Sequence, residues 1–179
     1  MFKFLKLNSR KTEEHIYFKY ADEMIVLCLR YLGNIEDAEE VMNNGFLKVF
    51  SNLSTFKPEH ENSFKAWIKK IMINECLMRI RKQKIDLTIR LDSEEISLSE
   101  DPILEYSAEY LLDLLAALPD GYRTVFNLYA IEGYKHKEIA EMLQISENTS
   151  RSQLLKARKM LQNHVNIQNS NDLLCARIN

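Results

Sequence analysis

The stretch KHKEIAEMLQISENTSRSQLLKARKML, residues 135–161, decides the fold. Its apolar positions Ile139, Ala140 and Leu143 recur at helical spacing, pause over Gln144-Ile145-Ser146, and resume as Leu154, Ala157 and Leu161. Two helices divided by so short a turn match a helix-turn-helix. The small side chain of Ala140 suits the close crossing of the second helix over the first. With Leu154, Ala157 and Leu161 turned inward, the opposite face presents Asn148, Arg151, Ser152, Lys156 and Lys159. Those side chains reach into a major groove, where Arg or Lys reads guanine and Ser serves several base edges. Ser146 is the expected N-cap, which leaves the first amides of the second helix, near Thr149, to face phosphate. Lys135 stands where Ser, Thr or Asp would cap the first helix better, a defect of about 1 kcal/mol unless a phosphate compensates. A helical hairpin whose solvated face happens to be basic is the bland alternative, and this stretch alone leaves both open.

Working outward, the same helical character extends through the chain. Four Gly and three Pro among 179 residues favour helices over strands and turns. Upstream of the motif, Tyr106 to Leu118 reads as a leucine-rich helix stopped by Pro119-Asp120-Gly121, and Tyr122 to Ile131 as another closed by Gly133. Together these give a four-helix unit over residues 106–165, followed by a polar tail, 166–179, expected to fray. Near the other end, Tyr17, Ala21, Met24, Cys28 and Tyr31 mark a helix from His15 to Leu32, closed by Gly33 at C′. Asn34 is the expected N-cap of a second helix, with Asp37 at N3 and Ala38, Val41, Met42, Phe46, Val49 and Phe50 as its stripe, ending near Ser51. The polar stretch from Asn52 to Asn62 reads as a loop. A third helix opens at Asn62 or Ser63, with Phe64, Trp67, Ile68, Ile71, Met72 and Ile80 turned inward; Trp67 reads as core. The expectation is an all-α protein: an extension over 1–13, a three-helix domain over 14–85, a linker over 86–105, and the helix-turn-helix domain.

Charge is segregated. Net charge is -2, yet residues 65–84 carry seven bases against the single acid Glu75, and residues 86–105 carry Arg90 against seven acids. Separate electrostatic tasks follow. The three cysteines, Cys28, Cys76 and Cys175, have no CxxC spacing, so neither a disulfide framework nor a zinc site is expected. Lysines interrupt the N-terminal apolar residues, and no stretch approaches the length of a membrane span, so a cytoplasmic location is expected. The histidines His15, His60, His136 and His164 are scattered and lack a nucleophile motif, which speaks against a helical hydrolase.

Phe18-Lys-Tyr20, Arg30-Tyr31-Leu32, Asp37-Ala38-Glu39-Glu40, Phe46-Leu47-Lys48-Val49-Phe50, Phe64-Lys-Ala-Trp67-Ile68, Ile71-Met-Ile-Asn74 and Arg79-Ile-Arg81-Lys82 resemble the core domain of bacterial RNA polymerase sigma factors. Leu118-Pro119, Tyr122-Arg123, Val125-Phe126, Glu132-Gly133-Tyr134, Glu138-Ile139-Ala140-Glu141, Ser146-Glu-Asn-Thr149-Ser-Arg-Ser152 and Lys156-Ala157-Arg158 resemble their second conserved domain. With only these two domains, in order, the chain is most similar to the small extracytoplasmic-function group of the sigma-seventy family.

That resemblance implies core RNA polymerase and promoter DNA as partners, together with an anti-sigma factor, and no cofactor, metal or small-molecule substrate. It implies that the second helix docks on the polymerase clamp through Asp37, Glu40, Asn43 and Asn44, an exposed polar row. Asn43-Asn44 replaces the family's usual Gln-Glu. The minus-ten element would meet the loop and third helix through Lys57, Glu61, Asn62, Lys65, Lys69, Lys70, Asn74 and Arg81, with Asn74 near an extruded base and Arg79 and Lys82 also on phosphates. The minus-thirty-five element would meet Lys135, His136, Asn148, Thr149, Arg151, Ser152, Lys156 and Lys159. A linker of about 20 residues spans at most ~66–72 Å, and elements about 17 base pairs apart lie about 58 Å apart, so the tether suffices. The runner-up is a stand-alone helix-turn-helix regulator.

Overall fold

The computed structural model describes residues 10–57, 60, 62–87 and 108–175, with side chains described over 10–57, 60, 62–83 and 109–164. All regular elements among them are helical, in the order α1 (Arg10–Leu32), α2 (Ile35–Ser51), a 3-10 turn (Leu53–Thr55), α3 (Ser63–Leu87), α4 (Ala108–Ala116), α5 (Asp120–Phe126), a π turn (Asn127–Ile131), α6 (His136–Leu143) and α7 (Glu147–Cys175). The chain divides into two compact units, Met1–Leu91 and Asp92–Asn179.

In the first unit, α1, α2 and α3 pack mutually around Met24, Leu27, Cys28, Tyr31, Ala38, Val41, Phe46, Val49, Ile68, Met72 and Cys76, all buried. Each large apolar side chain so buried contributes about 1.5–3 kcal/mol. The junction of α1 and α2 follows local chemistry. Gly33 takes a φ of 78°, and the Asn34 side chain accepts the Asp37 N–H at 2.8 Å, as the sequence leads one to expect. The 3-10 turn drops Leu53 into the core. Beyond it, Phe56 packs on Phe64 and Trp67, with ring centroids 5.1 and 5.0 Å away. Trp67 is therefore a half-buried member of the core's edge.

In the second unit, Leu114, Leu115, Leu118, Val125, Leu128, Ile139, Ala140, Leu154 and Ala157 form the core. Arg123, 6 % exposed, closes α4: its guanidinium donates to the carbonyls of Ala116 and Leu118 at 2.8 and 3.1 Å and to the Asp120 carboxylate at 2.6 Å. The Ala116 carbonyl is among the acceptors that a helix end leaves unsatisfied, and that of Leu118 lies just beyond it. The Asn127 side chain donates to the Arg123 carbonyl at 2.9 Å, and the ladder beyond it widens, with the Glu132 N–H reaching the Asn127 carbonyl at 2.9 Å.

Several boundaries differ from expectation. Helix α1 begins at Arg10, five residues before His15, because the polar residues there, including the Arg10–Glu14 pair at 3.3 Å, are good helix formers. Helix α3 continues through Leu87, past Asp86 where the linker was expected; residues 88–105 lie outside the described residues. The expected single helix from Tyr122 to Ile131 is a short α5 running into the π turn. Helix α7 runs to Cys175, without a Gly or Pro to stop it, where the tail from residue 166 was expected to fray. Lys135 gains half a capping box: its N–H donates to the Glu138 carboxylate at 2.7 Å. A lysine side chain has no acceptor to complete the reciprocal bond.

Candidate nucleic-acid and polymerase surfaces

The helix-turn-helix is α6, the turn 144–146 and α7. Gln144 turns the chain with a φ of 55°, a conformation costing a non-glycine residue about 1 kcal/mol. It lets the Ile145 N–H return to the Ala140 carbonyl at 3.1 Å. Ser146 caps α7 as expected, its Oγ accepting the Thr149 N–H at 3.0 Å. With Leu154 and Ala157 buried beneath, Asn148, Arg151, Ser152, Lys156 and Lys159 are exposed along α7. Arg151 rests on Glu147 at 3.0 Å, an exposed i,i+4 pair that costs only about 0.3–0.5 kcal/mol to exchange for another partner. Lys156 lies 5.8 Å from the Tyr122 ring centroid. Thr149 is half-buried, its hydroxyl 2.8 Å from that of Ser146.

Among these donors stands a residue that sequence reasoning missed. Leu155 is 70 % exposed, and at positions 151, 155 and 159 it shares one helical row with Arg151 and Lys159. Leu155 was placed neither in the expected core nor on the expected reading face, although the phase of Leu154 and Ala157 was an available signal. At the start of α6, Lys135 is exposed, while His136 is half-buried, its ring stacked on Tyr129 and its Nδ1 2.9 Å from Ser150 Oγ.

In the first unit, successive residues of α3 are turned by about 100°, which gathers Lys70, Asn74 and Arg81 within about 40° of arc. All three are exposed, with Met78, 55 % exposed, alongside. Lys65 lies elsewhere and pairs with Glu23 of α1 at 2.9 Å; Lys69 is half-buried. Lys57 and Asn62 are exposed, and Glu61 lies outside the described residues. Arg79 does not join the basic face. Its guanidinium is held by Asp37 and, at 3.3 Å, by Glu40 of α2, because the acidic first turns of α2 lie against it.

The same contacts correct the expected exposed row on α2. Asp37 is only 15 % exposed at its side chain and is engaged by Arg79, Gln83 and Asn34. Burial pushes its carboxyl pKa up, but hydrogen bonds from Asn34, Arg79 and Gln83 and the charge of Arg79 outweigh this and leave it below the usual value. Glu40, Asn43 and Asn44 are exposed, Asn43 accepting from the Tyr17 hydroxyl at 3.5 Å. Leu47, 64 % exposed, extends their ridge and was likewise missed.

Among the described residues no cluster of His, Cys, Asp and Glu fits a metal ion, and no helix is long and apolar enough to cross a membrane. Cys28 and Cys76 are buried and free.

Comparison with known proteins assigns the two units. Residues 16–85 match sigma-70 region 2, and residues 108–161 match sigma-70 region 4. The ECF RNA polymerase sigma factor SigW of Bacillus subtilis is 30% identical over 156 residues, covering 79% of this chain and 82% of that protein. The RNA polymerase sigma factor SigV of the same organism is 31% identical over 137 residues, covering 75% and 80%. The fold also resembles that of the Bartonella quintana sigma factor RpoE, solved in complex with the anti-sigma factor NepR, with a TM-score of 0.56, 16% identity and coverage of 88% and 98%. A region 2 carrying an acidic and amide ridge, followed in one chain by a region 4 carrying a basic helix-turn-helix face, makes this protein a member of the extracytoplasmic-function RNA polymerase sigma factors, which recognise promoters.

Proposed function

We propose that this chain directs promoter-specific initiation through three surfaces. Glu40, Asn43, Asn44 and Leu47 on α2 dock on core polymerase, with Asp37 supporting the ridge from behind. Lys70, Asn74 and Arg81 on α3, with Lys57 and Asn62 before it, hold the opened minus-ten strand, whose unstacking costs a few kcal/mol that phosphate contacts partly offset. Lys135 and His136 of α6 face upstream phosphates while Asn148, Arg151, Ser152, Lys156 and Lys159 read the major groove of the minus-thirty-five element, Leu155 contributing an apolar contact of the kind thymine methyl groups receive.

The domain division follows the same reading: 14–85 serves polymerase and the minus-ten element, 86–105 is the tether, 106–165 serves the upstream element, and 1–13 and 166–179 are appendages. The role is regulatory, with bond-making left to polymerase and a cytoplasmic setting implied. An anti-sigma factor is the proposed inhibitory partner, with Phe18, 79 % exposed, and Leu47 as apolar points for it to cover.

The observation carrying this reading is the basic face of α7 with its flexible, cheaply exchanged Arg151–Glu147 pair. Gel shifts on a promoter fragment, with and without core polymerase, test it. Tight binding that requires core polymerase supports a sigma factor; equal binding by the chain alone, as a dimer on a symmetric site, would instead mark a stand-alone regulator. In vitro transcription with sequencing of the 5′ ends then defines the promoter.

A further inference from the structure

We propose that His136 is a proton-linked positioning residue, tying the recognition helix to an upstream phosphate, so that binding of the minus-thirty-five element takes up a proton. The proposal rests on the assignment of α6 and α7 to that element.

The geometry comes first. His136 is the first residue of α6, and its Nδ1 lies 2.9 Å from Oγ of Ser150, a fully buried residue of α7. Its ring is stacked on Tyr129 of the π turn at 4.5 Å and 22°. One contact fixes the rotation of the imidazole and the other its plane. In a five-membered ring the two nitrogens point away from each other, so with Nδ1 held by the buried Ser150, Nε2 points away from that residue. In the imidazolium both nitrogens donate. Nδ1–H then donates to Ser150 Oγ and Nε2–H is offered to the outside, so protonation keeps the tether rather than breaking it.

The charges around the ring set the direction. Arg151, Arg158 and Glu147 face it from α7, Tyr129 from the π turn, and Lys135, Lys137 and Glu138 flank it on its own element. Burial holds the imidazole below the usual histidine value, and Arg151 and Arg158 add to this while Glu147 opposes it. In the unbound protein the ring is therefore neutral at neutral pH. A phosphate at Nε2 reverses the balance. Arg151, on moving to a base, also leaves Glu147 unneutralised close to the ring. The bound state thus has the higher pKa, and affinity rises as pH falls through it, levelling off below the lower, unbound value. One proton gives at most a tenfold gain per pH unit. His15, His60 and His164 lie outside this arrangement and are present in both the native chain and a position-136 variant.

The test uses holoenzyme reconstituted from the full-length chain and core polymerase, with a labelled promoter duplex selected by that holoenzyme from a random pool. Affinity is measured between about pH 8 and pH 6 for the native chain, for H136N, whose amide keeps a hydrogen bond to Ser150, and for H136F, which keeps the stack on Tyr129. The expected result is a severalfold gain in affinity on acidification for the native chain and a flatter profile for both variants. An NMR titration of the His136 ring in the full chain, with and without the duplex, should place its pKa higher in the complex. Retained duplex binding with the same pH slope in all three proteins, or an unmoved His136 pKa in the complex, overturns the proposal alone. Absence of duplex binding by the native holoenzyme at every pH overturns the DNA assignment as well.

Discussion

Arg79 of α3 grips Asp37 of α2, one guanidinium nitrogen donating to Asp37 Oδ1 and the other to Glu40 Oε1 at 3.3 Å. The residue that charge counting would send to DNA thus joins the helix assigned to polymerase with the helix assigned to the minus-ten strand. Both side chains retain some exposure, 26% for Arg79 and 15% for Asp37, so the pair is worth less than a fully buried one; Arg79→Met should cost about 1–2 kcal/mol. Trp67, the only tryptophan in the chain, lies in this unit and reports its unfolding in urea. The pH dependence follows from the lowered carboxyl pKa of Asp37. Its contribution is present above the unfolded value of about 3.9 and is lost as pH falls through the depressed folded value. Arg79→Met should reduce the acid-side loss of stability seen by Trp67 fluorescence; an unchanged acid limb would detach Asp37 from Arg79.

Gly45 marks the closest approach of α2 and α3: a β-carbon there would stand 2.3 Å from Met72 Sδ. Met72 is fully buried, so its flexible thioether has little room to retreat. Alanine at position 45 gains about 1 kcal/mol of helix propensity but incurs overpacking of about 1–3 kcal/mol. Gly45→Ala should therefore destabilise the first unit by up to about 2 kcal/mol, read by Trp67 in urea. In the background of Met72→Ala the same change should become neutral or stabilising. Simple additivity of the two changes would mean that the helices shift apart rather than clash.

Arg123 sits in the other unit with its charge buried, its pKa lowered by burial and partly restored by Asp120. Arg123→Met keeps the apolar stem but strips the Ala116 and Leu118 carbonyls of their donors. The expected loss is about 2–3 kcal/mol, at the scale of charge-assisted hydrogen bonds. It should appear as earlier loss of helical circular dichroism in denaturant with the Trp67 transition unmoved. A simultaneous shift of the Trp67 transition would contradict independent unfolding of the two units.

Most helices were legible because their apolar stripes and punctuation agree: Gly33 with Asn34, Pro119 with Gly121, Ser146 with Thr149. The π turn was not, because it starts at Asn127, whose buried side chain donates to the Arg123 carbonyl, and an Asn at that position reads equally well as solvated. The fate of charged residues was also hidden. Arg79 and Lys70 look alike in a list of bases, yet nine residues carry the chain through 2.5 turns of helix and onto the opposite side. Position relative to Asp37 and Glu40, set by the packing of α2 on α3, decides which of them faces solvent. Leu155 was passed over for a different reason: it was placed neither in the core nor on the reading face, because a face chosen for its hydrogen-bond donors leaves out an apolar side chain.

Leu155 provides the most discriminating test of the upstream surface. It is 70 % exposed, so truncating it should leave folding stability within about 0.5 kcal/mol. If it meets a thymine methyl group, Leu155→Ala should lower discrimination by about 1 kcal/mol, roughly fivefold, at one or two adjacent positions of the upstream element. Holoenzyme selection from a random pool, followed by sequencing, reads this directly. Because no charge is removed, the dependence of affinity on salt should stay the same. Lys159→Ala supplies the contrast: if that lysine meets phosphate, affinity should fall evenly across sequences and the salt slope should drop by about one. A uniform loss with Leu155→Ala, or no change in the selected sequences, would place Leu155 outside the groove and turn the reading face of α7 toward its Lys156 side.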